Sequence, residues 1–274
     1  MISPVCFQRV RVWSVLDTSK PSRGYRDVKK SGGRTDPRGP MRRVREAPTV
    51  VIVHGAWTDG TCWREVIALL HLEGLRVIAV QNPLSALGGD VDAVTRVLER
   101  HPGPVVLVGH GYGGTVITQA GNHPNVAALV YIAGCAPDVG ESTTDVETLG
   151  PTSPVVGRFE VDAGGFLYLP LTVVREFLAH DLLEAELRVI AAAQPPIRVS
   201  ALLDRVTNAA WRTKPSWYAV TDEDRIISPV LQREIAARIG AHVQFLRAGH
   251  LPFLSKPKET AEVILAAVES VHDR

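Results

Sequence analysis

The chain has 274 residues, 45% hydrophobic and 22% charged, which excludes fibrous classes and disorder for its bulk. Its formal charge of +1 combines a basic head, residues 1–46 with 12 Lys/Arg and 4 Asp/Glu, and a body with a net charge of −7. An acidic body argues against a nucleic-acid-binding face, and no run approaches about 18 uninterrupted apolar residues, so no membrane-spanning helix is expected.

The head is rich in Arg, Lys, Gly, Ser and Pro and has no apolar periodicity. Such a segment buries too little surface to offset its chain entropy, so residues 1–46 are expected to be disordered and without functional weight. The three cysteines, Cys6, Cys62 and Cys135, are odd in number and lack metal-ligand spacing. A reduced, cytoplasmic setting and no bound metal are the expectation.

From Thr49 the pattern becomes strand–helix alternation over a domain spanning 47–274. Thr49–Val53 is a continuous β-branched run, as in a strand covered on both faces. Helix is expected over Thr61–Gly74, strand over Arg76–Val80, helix over Asp90–Arg100, strand over Pro104–Val108, helix over Gly114–Ala120 and strand over Val126–Ile132. The rhythm then breaks, and about 140–211 reads as an inserted cap, with a hairpin over Arg158–Leu169 and helices over Leu171–Ala179 and Leu182–Ala193. It resumes with strand Ser216–Val220, helix Pro229–Ile239, strand His242–Leu246 and helix Pro257–Val271. Repeated β–α units imply an α/β fold, a mostly parallel central sheet with helices on both faces.

Strand Pro104–Val108 runs into Gly109-His110-Gly111-Tyr112-Gly113-Gly114 and then a helix. Strand, sharp turn and helix are the setting of a nucleophile elbow, G-x-S-x-G. Its middle position needs a strained, positive-φ backbone that aims a Ser, Cys or Asp side chain at substrate. Here that nucleophile position is Gly111, which has no side chain. The same glycines, 109, 111 and 114, also satisfy G-x-G-x-x-G, but no acidic residue ends the following strand, so no dinucleotide and no other cofactor is expected.

Val53-His54-Gly55-Ala56-Trp57 with Trp63, the turn Gly109–Gly114, Trp217–Pro229 and Ala248-Gly249-His250-Leu251-Pro252-Phe253 occur in the order found in the α/β-hydrolase superfamily. The body resembles its small-esterase branch, related to the plant hydroxynitrile lyase and methyl-salicylate esterase group. The resemblance implies an α/β-hydrolase fold with an inserted cap and carboxylic ester hydrolysis. The lyases of that group carry a lysine immediately after the catalytic histidine. Leu251 stands there in this chain, which argues against cyanohydrin chemistry.

Strand-end placement assigns the remaining parts. Asp224 follows one strand and His250 the next, so Asp224 would orient the imidazole of His250, with Asp222 on the same turn as the rival acid. The backbone N–H groups of Ala56 and Tyr112 would form a two-donor oxyanion hole. His54 is read as a loop-bonding residue, and Trp57 and Trp63 as packing. Without a hydroxyl at 111 the acyl-enzyme route is closed. Three functions remain: a hydrolase-family protein resembling carboxylic ester hydrolases of small hydrophobic substrates, inactive for want of its nucleophile; a non-covalent His–Asp general-base enzyme, oxygenase- or cyclase-like; or a small-molecule receptor or scaffold. The partner expected in each case is a small hydrophobic ligand or ester. The substrate-binding residues and the oligomeric state are left open.

Overall fold

The computed structural model describes residues 47–272. The head, 1–46, lies outside the described residues. Six strands form one parallel sheet: β1 (Thr49–Val53), β2 (Val77–Val80), β3 (Val105–His110), β4 (Val126–Ile132), and, far along the chain, β8 (Ser216–Thr221) and β9 (His242–Leu246). Their order across the sheet is β2-β1-β3-β4-β8-β9. Every residue of β3 and β8 is buried, and β1 is buried from Val50 on, as the unbroken apolar runs require for strands covered on both sides.

The connecting helices are α1 (Arg64–Leu72), α2 (Leu87–Arg100) and α3 (Tyr112–Ala120). Between β4 and β8 lie α4 (Thr143–Glu147), the hairpin β5 (Glu160–Val161) and β6 (Phe166–Tyr168), the short α5 (Leu171–Val173), α6 (Glu184–Ala193), β7 (Ile197–Arg198) and α7 (Val199–Leu203). Strands β5, β6 and β7 make a separate antiparallel sheet. After β8 come α8 (Pro229–Arg238), α9 (Pro252–Ser255) and α10 (Pro257–His272).

The chain steps from β1 outward to β2, then back across β1 to β3. Right-handed crossovers therefore send the helices that leave β1 and β3 to opposite faces. The loops at the carboxyl ends of these two adjacent strands diverge, which opens a crevice at that edge of the sheet. The loop His54-Gly55-Ala56 leaves β1 there, and Gly111-Tyr112 leaves β3.

Several boundaries differ from the sequence expectation for local reasons. Helix α3 begins at Tyr112 rather than Gly114, because the chain turns within a single residue, Gly111. Helix α2 begins at Leu87 rather than Asp90. Its acid is drawn inward instead of lying on the first turn toward solvent: Asp90 is fully buried and accepts bonds from Leu84 N (2.7 Å) and the Tyr112 hydroxyl (2.7 Å). The helix expected over Leu171–Ala179 is one α turn followed by a wider π-helical turn over Val174–Leu178. The segments α4, β7, α7 and α9 are too short to show a period in sequence.

Candidate active site

At the end of β1, His54 is buried and holds its own loop. Asn82 N–H donates to its Nε2 at 2.9 Å, so Nδ1 carries the proton and donates to Gly55 O at 2.9 Å, while Asn82 Nδ2 donates to His54 O at 3.0 Å. Burial lowers the pKa of this imidazole, in keeping with a neutral ring that bonds backbone. Three residues on, Trp57 sits at φ 57°, donates from Nε1 to Leu167 O at 3.1 Å and stacks on Phe159 at 5.6 Å. Trp63 is packing throughout, stacked on Phe253 at 4.2 Å. Trp57 does more than the sequence suggested: it both packs and lines the cavity described below.

At the end of β3, Gly111 has φ 51° and ψ −121°, a region that L side chains rarely adopt. The strand-to-helix step is tight enough that a β-carbon on Gly113 would meet the backbone carbonyl of Val53. A β-carbon on Gly111 would instead make ordinary van der Waals contact, 3.4 Å from Nε2 of His250. The turn thus points its absent side chain directly at a histidine 139 positions further along the chain.

His250 lies on the loop between β9 and α9 and is buried. Its Nδ1 is 2.8 Å from Oδ2 of Asp224. That carboxylate is completely enclosed and saturated: Oδ1 accepts Ile226 N (2.7 Å) and Ile227 N (3.0 Å), and Oδ2 also accepts Thr221 Oγ1 (3.0 Å) and Gln232 Nε2 (2.8 Å). Four donors besides the imidazole fix its plane. The rival Asp222 points away, to Arg233 at 2.6 Å on the surface.

Two further contacts hold the histidine loop. Nε2–H of His110, a fully buried ring whose pKa is pushed well down by desolvation and by His250, donates to His250 O at 2.9 Å. From the inserted segment, Asp181 Oδ2 accepts Gly249 N–H at 2.7 Å. Neither contact was legible in the sequence. The sequence reading gave neither His110 nor Asp181 a role of its own.

Ala56, Trp57, Gly111, Tyr112 and His250 line one cavity of about 60 Å3. Among the described residues no carbonyl or side chain accepts the Ala56 or Tyr112 backbone N–H. The phenol of Tyr112 is turned away from the cavity chemistry, bonded to Asp90, and burial drives its pKa up. A second cavity of about 220 Å3 adjoins the first, sharing Glu147, Ser153, Val156, Ile226 and Ile227 with it. A still larger one, about 450 Å3, lies behind Trp57 against α6 and reaches neither Gly111 nor His250.

Glu147 was missed by the sequence reading. It ends α4 in a stretch that also contains Glu141 and Asp145, and nothing in the sequence separates the three. Glu141 and Asp145 pair with arginines, whereas Glu147 faces the cavity. Burial pushes its pKa up to about 7, against a smaller downward pull from His250.

A parallel sheet with a strand–turn–helix step aimed at a histidine–aspartate pair defines the α/β hydrolases. The chain belongs to the alpha/beta hydrolase family, whose model matches residues 50–263. It is 25% identical over 241 residues to an alpha/beta hydrolase of Aspergillus novofumigatus, covering 79% of this chain and 95% of that one. It is also 25% identical over 252 residues to methylesterase 8 of Arabidopsis thaliana, covering 80% and 89%. In fold it is similar to polyneuridine aldehyde esterase, with a TM-score of 0.71 and 19% identity over 81% of this chain and 99% of that one.

Proposed function

We propose that this chain is a member of the esterase branch without the covalent route, with Gly111 at the nucleophile position and His250, oriented by Asp224, acting as a general base on a small, mostly apolar ester or carbonyl compound. The observation that carries the reading is the free Nε2 of His250, facing the space where a residue-111 side chain would stand. A buried imidazole held by a fully saturated carboxylate is oriented for proton transfer, whatever the proton donor is.

With an ester bound over Gly111, Nε2 of His250 takes a proton from a water in that space. The resulting hydroxide attacks the carbonyl carbon, and the ester π electrons move to its oxygen. The Ala56 and Tyr112 amides donate to that oxyanion. Collapse breaks the bond to the alcohol, whose oxygen takes the proton back from the His250 imidazolium. Asp224 stabilises the transient cation and holds the proton on Nδ1. No acyl-enzyme forms.

The esterase relatives and the apolar cavity wall support an ester-like substrate class. Gly111→Ser tests the assignment of position 111 and of the surrounding groups together. The variant should hydrolyse short p-nitrophenyl esters and be labelled by a neutral fluorophosphonate, His250→Ala should remove both signals, and the natural chain should not be labelled. A folded, unlabelled and inactive serine variant would overturn the reading. Loss of the nucleophile leaving only a ligand-binding protein is the second reading. It predicts that His250→Ala leaves affinity for a neutral ester analogue unchanged and that no turnover exists to be lost.

A further inference from the structure

The cavity over Gly111 is lined by a carboxyl, that of Glu147, with no partner among the described residues. Its wall is apolar on most sides: Val155, Val156, Phe159, Leu202, Ile226 and Ile227. Glu147 projects from the end of α4 into this wall, where the cavity joins the neighbouring one of about 220 Å3. No lysine or arginine among the described residues lines either cavity. Among the described residues Glu147 makes no side-chain hydrogen bond and no ion pair. The acids before it on the same segment are both neutralised, Asp145 by Arg205 and Glu141 by Arg238. Ser153, lining the same junction, has a buried Oγ without a partner.

A carboxyl in such a wall is costly unless something compensates it. Elsewhere in this fold the compensation comes from protein donors, as the four around Asp224 show. At Glu147 the described residues supply none, and the cavity provides room for a ligand to do so. The same cavity is lined by the stacked pair Trp57 and Phe159. A carboxylate and aromatic rings lining one largely apolar pocket are suited to an organic ammonium, which gains an ion pair and contact with the aromatic π systems while burying its hydrocarbon.

We infer that Glu147 is a specificity residue that binds the protonated amine of a small, largely apolar substrate, whose carbonyl end lies over Gly111. The inference rests on the general-base reading above only for the identity of the carbonyl end. The ammonium site itself follows from the cavity and the unpaired carboxyl. His250 and Tyr112 are the other titratable groups lining the cavity, the Tyr112 phenol being bonded to Asp90; Asp224 stands behind the imidazole, and the buried Cys135 thiol lies near both carboxyls.

The test is calorimetric titration of the full chain at pH 8 with cyclohexylmethylamine and with cyclohexylmethanol, near-isosteres that differ in charge. The amine should bind at least about tenfold more tightly, and Glu147→Gln should bring the two within about twofold. Equal binding by the natural chain, no binding of the amine, or a preference that survives Glu147→Gln would each overturn the site. A thermal melt of Glu147→Gln confirms that the comparison is made on folded protein. Cyclohexylmethylamine should also slow fluorophosphonate labelling of Gly111→Ser, and fail to do so when Glu147→Gln is added. A labelled serine variant with no amine preference removes the ammonium site and leaves the general-base reading standing. An amine preference with an unlabelled serine variant does the reverse.

Discussion

The side-chain position of Gly111 and Nε2 of His250 are 3.4 Å apart, with nothing of the protein between them. A methyl group there makes ordinary van der Waals contact, so space does not forbid a side chain. The backbone does, because φ of 51° with ψ of −121° disfavours any β-carbon. Gly111→Ala should therefore cost on the order of 1–3 kcal/mol, seen as a lower denaturant midpoint at unchanged slope. An alanine variant as stable as the natural chain would contradict the strained turn.

Asp224 and Asp222 separate cleanly in their expected effects. In a Gly111→Ser background, Asp224→Asn should reduce kcat on short esters by about 10³–10⁴, the scale seen when a triad acid loses its charge. Asp222→Asn removes only an exposed bond to Arg233 and should leave kcat within about twofold. Steady-state kinetics on the three proteins decides it.

Glu147 makes stability depend on pH. Its folded pKa of about 7 lies above the ordinary 4.5, so between these values the folded chain holds a proton that the unfolded chain releases. This contribution to stability is fully present below pH 4.5 and is lost as pH rises through 7. Glu147→Gln removes the charge and should stabilise the chain by on the order of 1–3 kcal/mol at pH 8, with the difference closing near pH 4.5. Urea melts of both proteins at the two pH values measure it.

Asp181 ties the inserted segment to the histidine loop through Gly249 N–H. Asp181→Ala leaves that donor without its partner and should cost about 1–2 kcal/mol of stability. In the Gly111→Ser background it should lower kcat more than it raises KM, because the imidazole loses its position while the cavity wall is untouched. A change confined to KM would mean that Asp181 acts on the pocket and not on His250.

The parallel α/β arrangement was legible because its strands are buried on both faces and so are written as continuous apolar runs, Thr49–Val53 above all. The glycine turn, Asp224 and His250 were legible because chemistry at the carboxyl ends of such strands leaves a fixed order along the chain. That order favoured Asp224 but left Asp222, two residues away on the same turn, as a rival. The choice lay in a third dimension, in the donors of Thr221, Ile226, Ile227 and Gln232 that converge on one carboxylate only. The region between β4 and β8 was the least legible, since its short helices and two- or three-residue strands carry no period and take their shape from the sheet they cover. Glu147 belongs to that region. Its composition is the same as that of its acidic neighbours, and only the fold decides that Glu141 and Asp145 meet arginines while Glu147 meets a cavity. Sequence determined which strands the chain can make and in what order their ends present reactive groups. Tertiary packing determined which of those groups are desolvated, which are paired, and which line a cavity.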